Sequence, residues 1–324
     1  MALYAGVDLG ATNVRAVVAD ADGTRLAIER DGTPQGPTGI AVTEAVLSTL
    51  RRACERAGVT PGEVRAVGIG SIGPLDLAGG AVENPANLPD TIRSIPLVGP
   101  IEKLIDGGPV HLHNDTAAGV IGERFHSERN PDDMAYLTIS SGIGAGLCVD
   151  GHVLSGWDGN AGEIGHVTVD PRGRLTCGCG IDGHWEAYCS GENIPRYAQL
   201  LHDDDPVETD LPLDEPEFSA ADVFGLAGED RFADHVIDQI ARWNAQGMAT
   251  LVHAYAPLVV YVGGAVALKN PQRVVEPIRE RLPSMVMSNV PEIRETTLGD
   301  DVVVEGALAS ARTGGTGDRD RLRR

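Results

Sequence analysis

One order of short elements occurs twice in this 324-residue chain. Residues 2–8 form an apolar run ending in Asp8, and Gly10-Ala11-Thr12 supplies a turn. Residues 14–19 resume an apolar strand, and Asp22-Gly23 signals a hairpin into residues 25–29. The order returns about 130 residues later. There it runs through residues 134–139, the turn Ser140-Ser141-Gly142-Ile143-Gly144, residues 145–149 and the hairpin Asp150-Gly151. Two copies of one supersecondary unit predict a duplicated α/β protein, two domains with a cleft between the copies.

The remaining pattern suits that class. Helical periodicity covers residues 39–57, 116–126, 219–255 and 271–286, and buried-strand runs lie at 64–69, 110–113 and 258–262. Val302 to Val304 read as a strand ahead of a short helix over 305–312. Residues 202–217, with Asp203-Asp204-Asp205, read as an exposed loop. The Gly- and charge-rich residues 313–324 read as disordered.

Composition removes several function classes. No run of about 18 apolar residues is present, so no membrane span is expected. The N-terminus lacks the charged start and long apolar core of a signal peptide, which points to the cytoplasm. A net charge of −21 disfavours nucleic acid, because a phosphate backbone would be repelled. Only two of the 26 basic residues, Lys103 and Lys269, are lysines. An acidic, lysine-poor surface suits a protein that works in high salt, where screening suppresses carboxylate repulsion; an arginine-favouring genome gives the same composition.

Three glycine turns follow strands. In the first, Asp8 precedes Gly10, Thr12 and Asn13. A turn without side-chain bulk lets backbone N–H groups approach phosphate, and Asp8 is a candidate for Mg²⁺; a plain tight turn is the alternative. Ser141-Gly142-Ile143-Gly144 is a second candidate phosphate turn. Gly263-Gly264 is a third site, where a flat nucleoside could lie on the backbone. None is a P-loop, because the Gly-Lys-Ser/Thr ending is absent. Asn114-Asp115 stands between a strand and a helix. Asp115 there can serve as a base toward a bound hydroxyl, or the pair can simply cap the helix.

Residues 163–186 concentrate metal chemistry. Glu163, His166, Cys177, Cys179, His184 and Glu186 fall within this stretch. Cys177 and Cys179 with His166 and His184 suit a closed tetrahedral zinc site, structural rather than hydrolytic; ordinary loop thiols are the alternative. Cys189 is a possible substitute ligand, while Cys54 and Cys148 read as inert core residues.

Together these segments resemble the ROK family of sugar kinases and repressors. The resemblance rests on Asp8-Leu9-Gly10-x-Thr12, Gly68-Ile69-Gly70-x-x-Gly73-Pro74, Asn87-Leu88-Pro89, Asn114-Asp115 and Ser141-Gly142-Ile143-Gly144-Ala145-Gly146. It continues through Asp150-Gly151, Ala161-Gly162-Glu163-Ile164-Gly165-His166, Cys177-Gly178-Cys179-Gly180-x-x-Gly183-His184-x-Glu186, Ser190-Gly191 and Gly263-Gly264. It implies an actin-like ATPase fold of two α/β domains around a cleft, divided into 1–115 plus about 303–324 and 116–302. It further implies ATP-dependent, Mg²⁺-assisted transfer of phosphate to O6 of a hexose, glucose first, with N-acetylhexosamine, mannose or fructose as alternatives. Asp115 is then the general base, and Asn87, Asn114, Glu163, His166 and Glu186 contact the sugar. Asp8, Gly10, Thr12, Asn13, Ser141, Gly142, Gly144, Gly263 and Gly264 line the nucleotide. His166 also ligates a structural Zn²⁺. Relatives are commonly dimers, so a homo-oligomer is expected.

The chain departs from the family pattern in four places. His184 replaces the third zinc cysteine, Ala11 a glycine, Asn13 a lysine and Ile72 a common proline. A repressor reading needs an N-terminal helix-turn-helix domain. The phosphate turn begins at Asp8, leaving no room for one. A sugar sensor without catalysis is disfavoured by the intact Asp115.

Overall fold

The computed structural model describes residues 2–85, 87–287 and 289–323. The first copy of the repeat opens with β1 (Leu3–Leu9), β2 (Asn13–Asp20) and β3 (Arg25–Gly32), joined antiparallel. Helix α1 (Gly39–Arg56) leads to β4 (Val64–Ser71), which pairs parallel with β1. A small antiparallel sheet of β5 (Leu75–Asp76), β6 (Ala81–Glu83) and β7 (Ser94–Pro96) follows, then α2 (Val98–Leu104). β8 (Val110–Asn114) adds parallel to β4 and runs directly into α3 (Asp115–His126).

The second copy comprises β9 (Met134–Ile139), β10 (Ile143–Val149) and β11 (His152–Val153). Helices α4 (Glu186–Cys189), α5 (Ile194–Asp204), α6 (Ala220–Gly225) and α7 (Arg231–Tyr255) precede β12 (Val259–Gly263). Then come α8 (Ala265–Lys269), α9 (Pro271–Arg281), β13 (Glu292–Glu295) and α10 (Val302–Thr313).

The duplication is visible in the sheets. The first is ordered β3-β2-β1-β4-β8 and the second β11-β10-β9-β12-β13, the same order when strands are counted within each copy. Both Asp-Gly hairpins form. Asp150 and Gly151 adopt φ 49° and 74°, the left-handed pair that a tight hairpin requires. By internal contacts the chain forms two units. One holds Met1–Met134, Gly146–Gly162 and Asp300–Arg324, the other Ala135–Ala145 and Glu163–Gly299.

In the first unit the sheet is covered on both faces. Ala5, Val7 and Leu9 share a core cluster with Val42, Val46 and Leu50 of α1, whereas Val17 and Ala19 pack with Val304 and Leu308 of α10. Glycines let α10 lie on the strand backbone: a Cβ at Gly68 would stand 1.9 Å from the Ala307 carbonyl oxygen. Arg25 Nε donates to Glu305 (2.6 Å) and His126 Nε2 lies 3.0 Å from its other oxygen, tying α10 to β3 and α3.

Three expectations are corrected. Val302 to Val304 are the first turn of α10, not a strand. Val302 and Val304 are almost fully buried, worth about 1.5–3 kcal/mol each, which outweighs a helix-propensity penalty below about 0.7 kcal/mol per residue. Residues 313–323 are ordered. Arg124 donates to the Thr316 carbonyl (3.0 Å), Asn130 donates to Asp318 (2.9 Å), and Arg319–Arg323 form a turn of 3₁₀ helix. Residues 202–204 belong to α5, and the loop begins only after them. Among the described residues no helix is long and apolar enough to cross a membrane.

Candidate active site and metal-binding group

The first glycine turn joins β1 to β2. Gly10 N–H donates to the Asn13 carbonyl (2.9 Å), and Thr33 straps the turn from outside through its N–H to Thr12 O and its hydroxyl to Gly10 O. Gln35 adds a bond to Ala11 O (3.0 Å). The turn is therefore held in shape by backbone bonds, with Thr12 exposed. Asp8 is buried at the strand end, and burial raises its carboxyl above the ordinary range against the opposing pull of Arg15. Arg15 reaches Asp8 through Oδ2, from Nε at 2.9 Å and Nη2 at 2.6 Å, and also donates to Asp301 Oδ1 (3.1 Å) and the Asp300 carbonyl (2.6 Å). Oδ1 of Asp8 is left for a hard cation or its water, so the residues fit Mg²⁺. Sequence reasoning missed Arg15. Two positions beyond Asn13, its guanidinium is shared between Asp8 and Asp301.

At the β8–α3 junction the capping reading of the Asn114-Asp115 pair is seen directly. Asn114 is the N-cap of α3: its Oδ1 accepts from Thr116 N (2.9 Å) and from the Thr116 hydroxyl (2.7 Å). Asp115 is the first helical residue, and its Oδ1 also accepts from Thr116 N (2.7 Å). The helix dipole favours negative charge there. Asn114 sits in register with Ser71 at the end of β4. Asn87 is exposed in the loop between β6 and β7. Asn160, which carried no sequence signal, accepts from Leu75 N (3.3 Å) and tethers the segment leading to Glu163.

The second unit carries the other glycine turns. Ile143 N–H donates to Glu186 Oε2 (2.8 Å), and a Cβ at Gly142 would lie 2.7 Å from that same oxygen. Gly142 is thus the space into which the Glu186 carboxylate reaches. The turn is clamped from behind: Gly191 N donates to Ser140 O (2.7 Å) and Ala265 N to Ser140 Oγ (3.4 Å). Ser141 is exposed, and Gly142 and Gly144 are partly so. Gly263 and Gly264 bring the end of β12 against β9. A Cβ at Gly263 would meet the Tyr136 hydroxyl at 2.5 Å, and Gly264 has φ 89° with the Ile139 backbone at 2.5 Å.

His166, Cys177, Cys179 and His184 form one group, their donor atoms all within 4.8 Å of one another. Cys177 Sγ is 3.6 Å from His166 Nδ1, and Cys179 Sγ is 3.3 Å from His184 Nδ1. Tetrahedral zinc with ordinary Zn–N and Zn–S bonds spaces its donors about 3.3–3.8 Å apart; these two pairs match that spacing, and the donor types suit zinc. Burial holds His184 below its ordinary value, favouring the neutral imidazole that a metal takes. Cys189 is not in the group; buried, it donates to the Ile240 carbonyl. Cys54 and Cys148 are core thiols pushed up to about 11 by burial.

The segment bearing the group is stiff. Trp185 N donates to Val167 O (2.9 Å), and Asp170 accepts from the Tyr188 hydroxyl (2.8 Å) while that hydroxyl accepts from Leu175 N (3.0 Å). The His166 ring has two working edges. Nδ1 faces the thiols, and Nε2 lies 3.7 Å from Glu163 Oε2. A metal on Nδ1 would fix the ring proton on Nε2, turned toward the carboxylate side.

The ROK family model matches residues 4–313. Glucokinase from Pyrobaculum calidifontis is 38% identical over 312 residues, covering 96% of this chain and 95% of that one. Among solved structures, a ROK hexokinase from Thermus thermophilus aligns with TM-score 0.80 at 33% identity, over 95% of this chain and 97% of the other. A ROK family glucokinase from Streptomyces griseus, solved with glucose and AMPPNP, aligns with TM-score 0.73 at 30% identity, over 96% and 99%. The fold is the actin-like ATPase fold that the resemblance implies, and the chain belongs to the ROK family.

Proposed function

We propose that this chain is an ATP-dependent glucokinase, transferring the γ-phosphoryl group of ATP to O6 of glucose. The observation that carries this reading is the full-length likeness to a ROK glucokinase solved with glucose and AMPPNP. In the proposed reaction Asp115 takes the proton of O6 as the O6–phosphorus bond forms and the bond to ADP breaks. Asn87, Asn114, Glu163, His166 and Glu186 hold the sugar hydroxyls, so orientation supplies much of the rate. Backbone N–H groups of the turns containing Gly10, Thr12, Asn13, Ser141, Gly142 and Gly144 face the phosphates, and Gly263 and Gly264 the nucleoside. Asp8 would hold Mg²⁺, which neutralises phosphate charge when bound. His166, Cys177, Cys179 and His184 would hold a structural zinc; when bound it fixes the His166 proton and ties Glu163 and Glu186 to one rigid wall.

The acidic, lysine-poor composition supports a further reading, that the protein works in high salt; the resemblance to ROK kinases supports a cytoplasmic homo-oligomer. A coupled assay with ATP across hexoses and N-acetylhexosamines, run at low and high salt, tests the whole reading. Glucose should give the highest kcat/KM, and activity should rise with salt. A clear preference for an N-acetylated sugar would replace the glucose assignment, and full activity in dilute buffer would remove the salt assignment. Light scattering of the purified chain settles the oligomer.

A further inference from the structure

Trp185 is the residue between His184 and Glu186, and it is fully buried. Its indole Nε1 donates to Asn244 Oδ1 of α7 at 2.8 Å. One turn further along α7, a Cβ at Gly247 would stand 2.2 Å from Cδ2 and Cε3 of the same ring. The indole therefore lies directly on the α7 backbone, where only glycine leaves room. Asn244 is itself fully buried, and its Nδ2 has no hydrogen-bond partner among the described residues.

That combination is poor at stabilising a core. A buried donor without an acceptor is a penalty, and an apolar pair of similar shape would avoid it. What the polar pair adds is direction. A single N–H···O bond selects one ring orientation among those that the packing against Gly247 allows.

The ring's neighbours in the chain make that orientation matter. Glu186 Oε2 accepts from Ile143 N–H at 2.8 Å, and His184 Nδ1 lies 3.3 Å from Cys179 Sγ. The backbone is pinned on the opposite side by Trp185 N to Val167 O. A ring displacement that carried the Trp185 Cα with it would shift both flanking residues.

We propose that Asn244 and Gly247 are positioning residues that orient Trp185 and, through it, set Glu186 for sugar binding. The inference rests on the assignment of Glu186 as a sugar contact. It is tested with Trp185→Phe, Asn244→Leu, the double variant and Glu186→Gln, measuring KM and kcat for glucose, KM for ATP and Tm. Each single variant at 185 or 244 should raise KM for glucose about tenfold, as loss of supporting-shell partners commonly does. KM for ATP should stay at the parental value. The double variant should melt at or above the singles, because no unpaired polar atom remains, yet keep the raised KM. Return of the parental KM in the double variant would show a packing role and overturn the proposal. If Glu186→Gln raises KM while the variants at 185 and 244 do not, the positioning role alone falls. If Glu186→Gln leaves KM unchanged, the sugar assignment fails and the positioning role falls with it.

Discussion

Gly142→Ala separates function from stability at the second glycine turn. The added Cβ would sit 2.7 Å from Glu186 Oε2 and 3.5 Å from its Cδ, and among the described residues beyond its chain neighbours nothing else lies within 4 Å. Gly142 is not in the left-handed region, so alanine adds no backbone strain. What must move is the end of a flexible side chain. The fold should tolerate this, with Tm within about 3 °C of the parent. The displaced carboxylate loses its charge-assisted bond from Ile143 N–H, which is worth about 1.5–3 kcal/mol. At about 1.4 kcal/mol per tenfold, kcat/KM for glucose should fall about 10- to 100-fold. The assay is a coupled kinase measurement with glucose varied at saturating ATP, then ATP varied at saturating glucose. Glu186→Gln should show a similar loss, and the double variant should be little worse than either single. The reasoning is refuted if KM for glucose is unchanged and the loss falls on KM for ATP alone, because the added Cβ would then disturb the turn's phosphate contacts without acting through Glu186.

Further outcomes follow from other parts of the molecule. The purified protein should carry about one zinc per chain by elemental analysis, and Cys177→Ser should lose it and melt at lower temperature; a parental Tm after full metal removal would exclude a structural staple. Gly68→Ala should cost about 3 kcal/mol or more, since its Cβ would lie 1.9 Å from the Ala307 carbonyl oxygen and only movement of α10 relieves it; urea unfolding measures this, and a loss below about 1 kcal/mol would contradict the packing described. His113, bonded to Ser310 at 2.7 Å, is pushed down to about 4 by burial. Its neutral form is favoured in the fold, so stability is fully present above the ordinary value of 6.5 and is lost as pH falls toward 4. The loss is on the order of 2–3 kcal/mol, and His113→Gln should flatten that part of the urea-unfolding profile. An unchanged profile in the variant would remove His113 as the cause.

Local chemistry made part of this molecule readable from its sequence. Asp22-Gly23 and Asp150-Gly151 announced the two hairpins, because few other residues adopt the backbone they need, and from them the repeated sheet order followed. The donor set at 166–184 was readable because Cys and His so spaced have few other uses. What escaped depends on partners far along the chain. Val302 to Val304 look like strand in isolation and become helix because the sheet glycines open a seat for α10. The polar tail looks disordered until Arg124, 192 residues before Thr316, supplies the donor for its carbonyl. Arg15 beside Asp8 and Asn244 beneath Trp185 are equally invisible, since neither belongs to a motif and each acts by where the fold sets it.

The assignment of Asp115 as the base is tested most directly by Asp115→Asn, which keeps an acceptor for Thr116 N–H and so preserves the α3 cap. Turnover with glucose and ATP should fall about 10²- to 10⁴-fold. Glucose affinity, measured by calorimetry without nucleotide, should stay within about tenfold of the parent. A variant that retains near-parental kcat, or one that loses activity only because it no longer binds glucose, would contradict the account.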